Sequence, residues 1–391
     1  MFLPSRLCLV LTACVIAGVL RADPTERNLQ TVRGMLRPVW EEIRKEHFDL
    51  HGVGDTRALQ QEAETRLATA TSVAEALSII AQSVYNLGDS HTVFLAPPRP
   101  FDVHYGWSLD IAGQKVVVGG IEPGSDAEKQ GIRVGEHVLG INGMPASRGT
   151  LALLRYSLLA LNPQPGLRVQ LQWHDGSRRE VAFAARLISK PLTLTLHNGR
   201  DNQSLDLESE AQRMKRRSAF QELGPGVLWW KLATFSEPDH LEKGLRKSTG
   251  YEHVILDLRG NPGGLESEML DAIGAFFPDK LTVGSLRSRH KTKPLEASSR
   301  HTVRGKLLVL IDGGSASSAE VFARTMQLTG RGVVLGDRSA GKVNRGRIHT
   351  LSTGPRDQLI VFGVMITESG LMMADGQPLE KIGVEPEVWL V

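Results

Sequence analysis

Two short stretches hold the residues best suited to covalent chemistry. One is LLVLIDGGSASSAEVFARTM, residues 307–326: an apolar strand, a Gly-Gly turn, then three serines opening a helix. The other is GDRSAGKV, residues 336–343, whose Lys342 follows Ser317 by 25 positions. A serine at a helix N-terminus is ordinarily a cap, and that reading would cover Ser315, Ser317 or Ser318 taken singly. Three serines behind two glycines exceed what one cap needs. Such a turn exposes amides where an oxyanion gains from them and from the helix dipole. Serine becomes a useful nucleophile only when a base takes its proton. Lysine can be that base if burial lowers its pKa from about 10.4 towards roughly 7–8. Ala340 and Val343 give Lys342 the apolar company this requires.

Other readings of the same letters are weaker. Gly336, Gly341 and Lys342 match all but the last letter of the phosphate loop G-x-x-x-x-G-K-[ST]. Val343 stands where Ser or Thr would reach magnesium, and the chain after it reads as irregular before a strand rather than as a helix. There is no H-E-x-x-H, GNPGG carries proline where a trypsin-like enzyme has serine, and GGSAS lacks the closing glycine of G-x-S-x-G. Ser288 and Lys291 form an S-x-x-K in a charged, loop-like run without companion motifs. His91, in LGDSHT after a helix, reads as a structural hydrogen-bonding residue rather than a base.

The elements that must position Ser317 and Lys342 follow from the pattern. HVILDL (253–258), LLVLI (307–311) and GVVLG (332–336) alternate with helices, which indicates a buried, largely parallel sheet. A right-handed crossover places Ser317 and Lys342 beyond the carboxyl ends of neighbouring strands, where sites of α/β sheets gather. RGNPGG, residues 259–264, ends a strand on the same edge and would bring the N–H of Gly260 or Asn261 near Ser317.

Upstream, residues 25–95 read as helical. Val32, Leu36, Val39 and Ile43 form one stripe, Ser72 to Glu75 is a capping box, and Gly88 stops the last helix. Residues 101–187 change to short strands separated by Gly and Asp-Gly turns, with helices opening at Ser125 and spanning 151–161. The charged stretch 188–222 reads as a linker with one helical segment.

Residues 1–22 differ from the rest: Arg6, then the apolar run Leu7–Leu20, read as a secretory signal. The tetrapeptide LTAC leaves open a lipid on Cys14 and hence membrane association. Both cysteines lie in this segment, so a processed chain would have no disulfide, thiolate metal site or cysteine nucleophile. Without residues 1–22 the chain carries 44 basic and 43 acidic residues. That balance gives no footprint for nucleic acid.

LDLRGNPGG (256–264), GGSASSAE (313–320) and SAGK (339–342), together with LGDSHTVFL, IEPGSDAEKQGIRVGEHVLGINGMP and DGQPLEKIGVEPEV, resemble the C-terminal processing (tail-specific) serine peptidases. The resemblance covers nearly all of the chain after residue 22. It implies Ser317 as nucleophile, Lys342 as base, and an oxyanion hole at Gly260 and the backbone of Ser318. It also implies an α/β, crotonase-like (ClpP/crotonase) core over 223–391, with an inserted PDZ domain over 99–187 and an N-terminal helical region over 23–98. Gly106, Trp107, Ser108 and Leu109 would then capture a peptide C-terminus. No cofactor or metal is expected, and homo-oligomerisation is left open. Two departures stand out: Gly346 occupies the place of a glutamine that orients the lysine in many members, and Ser318 is a substitution beside the nucleophile.

The expectation is thus an exported, periplasmic or secreted, serine endopeptidase acting on proteins with apolar C-terminal tails. The alternative is a catalytically silent peptide-binding scaffold of the same fold. An acyl-CoA enzyme of crotonase type would explain neither the Ser–Lys spacing nor the 99–187 segment.

Overall fold

Helices account for the start of the computed structural model, which describes residues 24–99, 101–189, 217–300, 302–354 and 359–390. The expected signal segment, Cys14 and most of the expected linker lie outside these residues. The helices are α1 (Pro24–Arg33), α2 (Leu36–Glu46), α3 (Thr56–Thr69) and α4 (Val73–Tyr85). Asp55 caps α3 by accepting from the N–H groups of Arg57 and Ala58. Ser72 caps α4 through the Glu75 N–H, while the Glu75 carboxylate reaches back to the Thr71 N–H and hydroxyl. The stripe Val32, Leu36, Val39 and Ile43 is buried together with Trp40 and Ile80. Its core is shared, because Phe362, Val364 and Ile366 of a distant strand belong to the same cluster. The helical region is therefore built onto the C-terminal half of the chain. Among the described residues no helix is long and apolar enough to cross a membrane.

After β1 (Val93–Leu95) comes a small antiparallel module. Its strands are β2 (Phe101–His104), β3 (Trp107–Ala112), β4 (Lys115–Ile121), β5 (His137–Ile141), β6 (Met144–Pro145), β7 (Gly166–Gln172), β8 (Arg178–Ala184) and β9 (Arg186–Ser189). The main sheet runs β3-β4-β5-β7-β8, with β6 on β5, and β2 pairs separately with β9. Two helices interrupt it: α5 (Asp126–Lys129), capped by Ser125, and α6 (Leu151–Tyr156), which continues as one π turn to Leu161. The alternating strands bury Leu109, Val118, Val138, Val169, Leu171 and Phe183 against Leu151 and Leu154 of α6. β3 lies at the edge of its sheet and α6 packs beside it.

The remaining elements are β10 (Ala219–Gly224), β11 (Val227–Lys231), α7 (Pro238–Ser248), β12 (His253–Asp257), α8 (Glu266–Gly274), β13 (Leu281–Ser288), β14 (Thr292–Ala297), β15 (Lys306–Ile311), α9 (Ser318–Leu328), β16 (Gly332–Gly336), β17 (Arg345–Thr353), β18 (Ile360–Met373) and β19 (Val388–Trp389). The six-stranded sheet runs β10-β11-β12-β15-β16-β19, with every pair parallel except β10–β11. The linker expected over 188–222 is narrower than its polarity suggests, since β9 reaches Ser189 and β10 begins at Ala219. A second, antiparallel sheet runs β1-β18-β13-β14, with β17 on β18. Leu228, Trp230, Leu256, Val309 and Val334 of the parallel sheet pack with Phe322 and Met326 of α9. Gly244 of α7 sits on Trp230, where an added Cβ would come within 2.2 Å of the indole. Only glycine lets that helix approach so closely.

Candidate active site

The parallel register puts the two candidate catalytic residues where strand alternation predicts. β15 pairs with β12 on one side and β16 on the other, so the loops after all three strands share one edge. After β15, Asp312 organises the turn by accepting from Gly260 N–H at 2.7 Å and from Gly314 N–H at 2.9 Å. The Ser315 hydroxyl donates to Leu258 O at 2.8 Å, and Ala316 N–H to Asn261 O at 2.8 Å. These bonds fasten the serine turn to the RGNPGG loop before the nucleophile is reached.

Ser317 then adopts φ 54° and ψ −120°, a backbone state that costs on the order of 1–3 kcal/mol for a non-glycine residue. The state is held from two sides. Ser317 N–H donates to Lys342 O at 2.8 Å and to the Glu320 carboxylate at 3.0 Å. Glu320 is fully buried in the first turn of α9 and also accepts from Lys342 N–H (2.8 Å), Gly341 N–H (2.7 Å) and the Ser339 hydroxyl (2.5 Å). One carboxylate thus clamps the serine turn to the lysine loop. Burial pushes the Glu320 carboxyl upward, and its four donors pull the other way. Ser317 and Lys342 are joined through their main chains.

Lys342 lies in the environment a lysine base requires. Burial lowers its pKa, the Arg155 guanidinium lowers it further, and Glu320 and Glu380 act in the opposite direction. Arg155 comes from α6 of the antiparallel module and is itself lowered by burial. A cleft of about 630 Å³ borders Lys342 and is lined by Tyr85, Val93, Ile111, Leu151 and Tyr156 among others, so all three parts of the chain contribute to it. Arg148 fastens the module to the lysine loop through Asp337 at 3.1 Å and Ser339 O at 2.9 Å.

The oxyanion assignment needs correction at Gly260. Its N–H is taken by Asp312, and the RGNPGG loop meets Ser317 at Gly263 instead. A Cβ on Gly263, which has φ +99°, would fall 2.6 Å from Ser317 Cβ and 3.0 Å from Ser318 N. The Ser318 N–H belongs to the first turn of α9, and its hydroxyl donates to Gly264 O at 3.0 Å.

His91 also reaches the site, which its sequence context did not suggest. It is half-buried, with Nδ1 2.7 Å from the Ser90 hydroxyl and its backbone N–H donated to Asp89 at 2.8 Å. Burial lowers its pKa; Glu380 and Asp89 oppose that, and Lys342 adds to it. It lies against Gly346, where an added Cβ would be 3.2 Å from His91 Cβ and 3.1 Å from Met365 Cγ. The histidine therefore fills the neighbourhood of the expected glutamine. Glu380 accepts from Val343 N–H and Asn344 N–H with one oxygen, while its other oxygen is buried without a partner.

Gly106, Trp107, Ser108 and Leu109 stand apart from this cluster, at the edge strand β3. Gly106 O accepts from Glu122 N–H and the Ser125 hydroxyl. Trp107 and Ser108 are buried in the β3–β4 pairing, and Ser108 Oγ has no partner. Leu109 O accepts from the Arg155 guanidinium. The space between β3 and α6 is only about 40 Å³, lined by Tyr105, Leu109, Leu154, Leu158 and Leu167 among others. Arg155 sits on a main-chain acceptor of the edge strand.

This architecture has known counterparts. A solved structure titled as mature CPAF superposes with a TM-score of 0.67 over 93% of each chain at 15% identity, a likeness of fold. The probable CtpA-like serine protease of Staphylococcus epidermidis is 27% identical over 50% of this chain and 40% of its own length. The carboxy-terminal processing protease CtpA of Bacillus subtilis is 23% identical over 71% of this chain and 53% of its own length. The chain thus spans about half the length of these curated relatives. The matching family description is peptidase family S41, over residues 227–390. That stretch runs from β11 to the end of β19 and includes Ser317 and Lys342.

Proposed function

We propose that the protein is an exported serine endopeptidase that cleaves proteins presented through unstructured, apolar C-terminal tails. The observation that carries this reading is the Glu320 clamp, which joins the main chains of Ser317 and Lys342 at one edge of the parallel sheet. Ser317 Oγ attacks the scissile carbonyl while Lys342, its pKa lowered by burial and by Arg155, takes the hydroxyl proton. The Ser318 N–H and the α9 dipole stabilise the oxyanion of the tetrahedral intermediate. Collapse returns the proton to the leaving amine and leaves an acyl-enzyme on Ser317. Lys342 then deprotonates the water that hydrolyses the ester.

On this reading the 227–390 domain is a crotonase-like core and the antiparallel module a PDZ domain, with β3 and α6 flanking the tail groove. A tail adding to β3 as an extra strand must move Arg155 off Leu109 O. A second reading of proton transfer rests on His91, which is half-buried against Gly346 and faces both Glu380 and Lys342. In it the imidazole is the base, and Glu380 steadies the charge that forms.

The test is cleavage of an unfolded protein with an apolar C-terminal tail by wild type and Ser317→Ala. Turnover by wild type and none by the variant supports the endopeptidase. Equal turnover by both refutes it, and tail binding without turnover by wild type points to a scaffold.

A further inference from the structure

On a different face, side chains far apart in sequence converge without serving the chemistry above. Glu42 and Glu46 come from the last turns of α2, His349 from β17 and Glu368 from β18. One ligand atom each from Glu46, His349 and Glu368 lies within 4.8 Å of the other two. Glu42 stands 2.9 Å from His349 Nδ1 and accepts its proton. In the neutral imidazole that bond fixes the tautomer and leaves a lone pair on Nε2. Nε2 is sealed from solvent without a hydrogen-bond partner, 3.7 Å from the Glu368 carboxylate, too long for a hydrogen bond. A buried imidazole lone pair beside carboxylates has acceptors around it and no donor. A cation would satisfy all of them together.

The cations already nearby do not fill that role. Lys45 bonds Glu46 at 2.9 Å and approaches Glu42 at 3.5 Å, and Arg347 lies 3.4 Å from Glu368. Both side chains are mostly exposed and free to swing outward. Arg289 is committed to the carbonyls of Arg44, Lys45 and His47 at the end of α2.

We propose that Glu46, His349 and Glu368 bind a divalent first-row metal ion of the zinc class, with Glu42 orienting the imidazole. One imidazole nitrogen and two carboxylates suit such an ion, and water completes the coordination. Bonds of about 2.0–2.2 Å require the three side chains to draw inward by roughly 1 Å. The bound ion ties α2 to the β17–β18 pair, whose first strand begins just after Lys342.

The experiment is titration of the chelator-treated full chain with zinc chloride, followed by calorimetry and thermal melting. Wild type takes up one equivalent, and its Tm rises. His349→Ala and Glu368→Gln each weaken uptake at least ~10-fold, and Glu42→Gln weakens it by roughly 10–100-fold, as loss of an orienting partner does. If His349→Ala does not fold, Glu46→Gln at the end of α2 gives the same readout with an unchanged metal-free Tm. Absence of uptake by wild type at about 1 mM zinc, or wild-type uptake in both His349→Ala and Glu46→Gln, overturns the proposal.

Discussion

The loops that carry Ser317 and Lys342 and the groove between β3 and α6 are built on opposite principles. These loops are polar and held by main-chain hydrogen bonds to carboxylates, the half-buried Asp312 on one side and the buried Glu320 on the other. Their geometry exists before any substrate arrives, as electrostatic catalysis requires. The groove is apolar and small, about 40 Å³, and its edge strand is occupied by the single guanidinium of Arg155. On the proposed function, recognition there needs movement, whereas chemistry at Ser317 needs none. Arg155 belongs to both regions, since the same cation depresses the pKa of Lys342.

That contrast can be broken at its rigid end first. Glu320→Gln places an amide N–H₂ where four donors converge, and at least one bond to the Ser317 or Lys342 loop is lost. We expect about 2–4 kcal/mol of destabilisation in urea unfolding and a fall in kcat on the order of 100-fold. A variant with wild-type kcat would mean that the clamp does not position the dyad.

A smaller effect is expected at the support beneath His91. Despite burial, which acts upward, hydrogen bonds from His47, Thr367 and the His91 N–H hold Asp89 at about 2, below the 3.8 of a free aspartate. A depressed folded pKa contributes stability that is present above the unfolded pKa and lost as pH falls through the folded one. Asp89 therefore contributes about 2 kcal/mol that disappears between roughly pH 4 and 2. Asp89→Asn should remove it at neutral pH and flatten that part of the stability profile. An unchanged acid limb in the variant would show that another carboxylate governs it.

The adaptable region gives the smallest expected change. Arg155→Met removes a cation beside Lys342 and frees Leu109 O. The lysine pKa rises, so the acid limb of kcat moves to higher pH. The KM for a tailed substrate should fall two- to five-fold as the groove opens. Movement of the limb without any change in KM would separate the two roles of Arg155.

Much of this design is written locally and some of it is not. The stripe Val32, Leu36, Val39 and Ile43, the strands of the antiparallel module and the β15–α9–β16 unit follow from periodicity, because burial on one face imposes it. Ser317 and Lys342 follow from residue type and from the strands that precede them. Gly260 could not be separated from Gly263 by spacing, since what distinguishes them is the Asp312 carboxylate brought in by an adjacent strand. His91 comes within electrostatic range of Lys342, and Glu46 nears His349, because the N-terminal helices are built onto β17 and β18. No local pattern encodes contacts of that range.

The central claim is that Lys342 is the base for Ser317. It is tested most directly by kcat/KM from pH 6 to 10 for Lys342→Ala beside His91→Ala. The account predicts a loss of roughly 10³-fold or more in Lys342→Ala at every pH, with His91→Ala retaining a lysine-type rise toward alkaline pH. Wild-type activity in Lys342→Ala together with an inactive His91→Ala would contradict it and assign the proton to the imidazole.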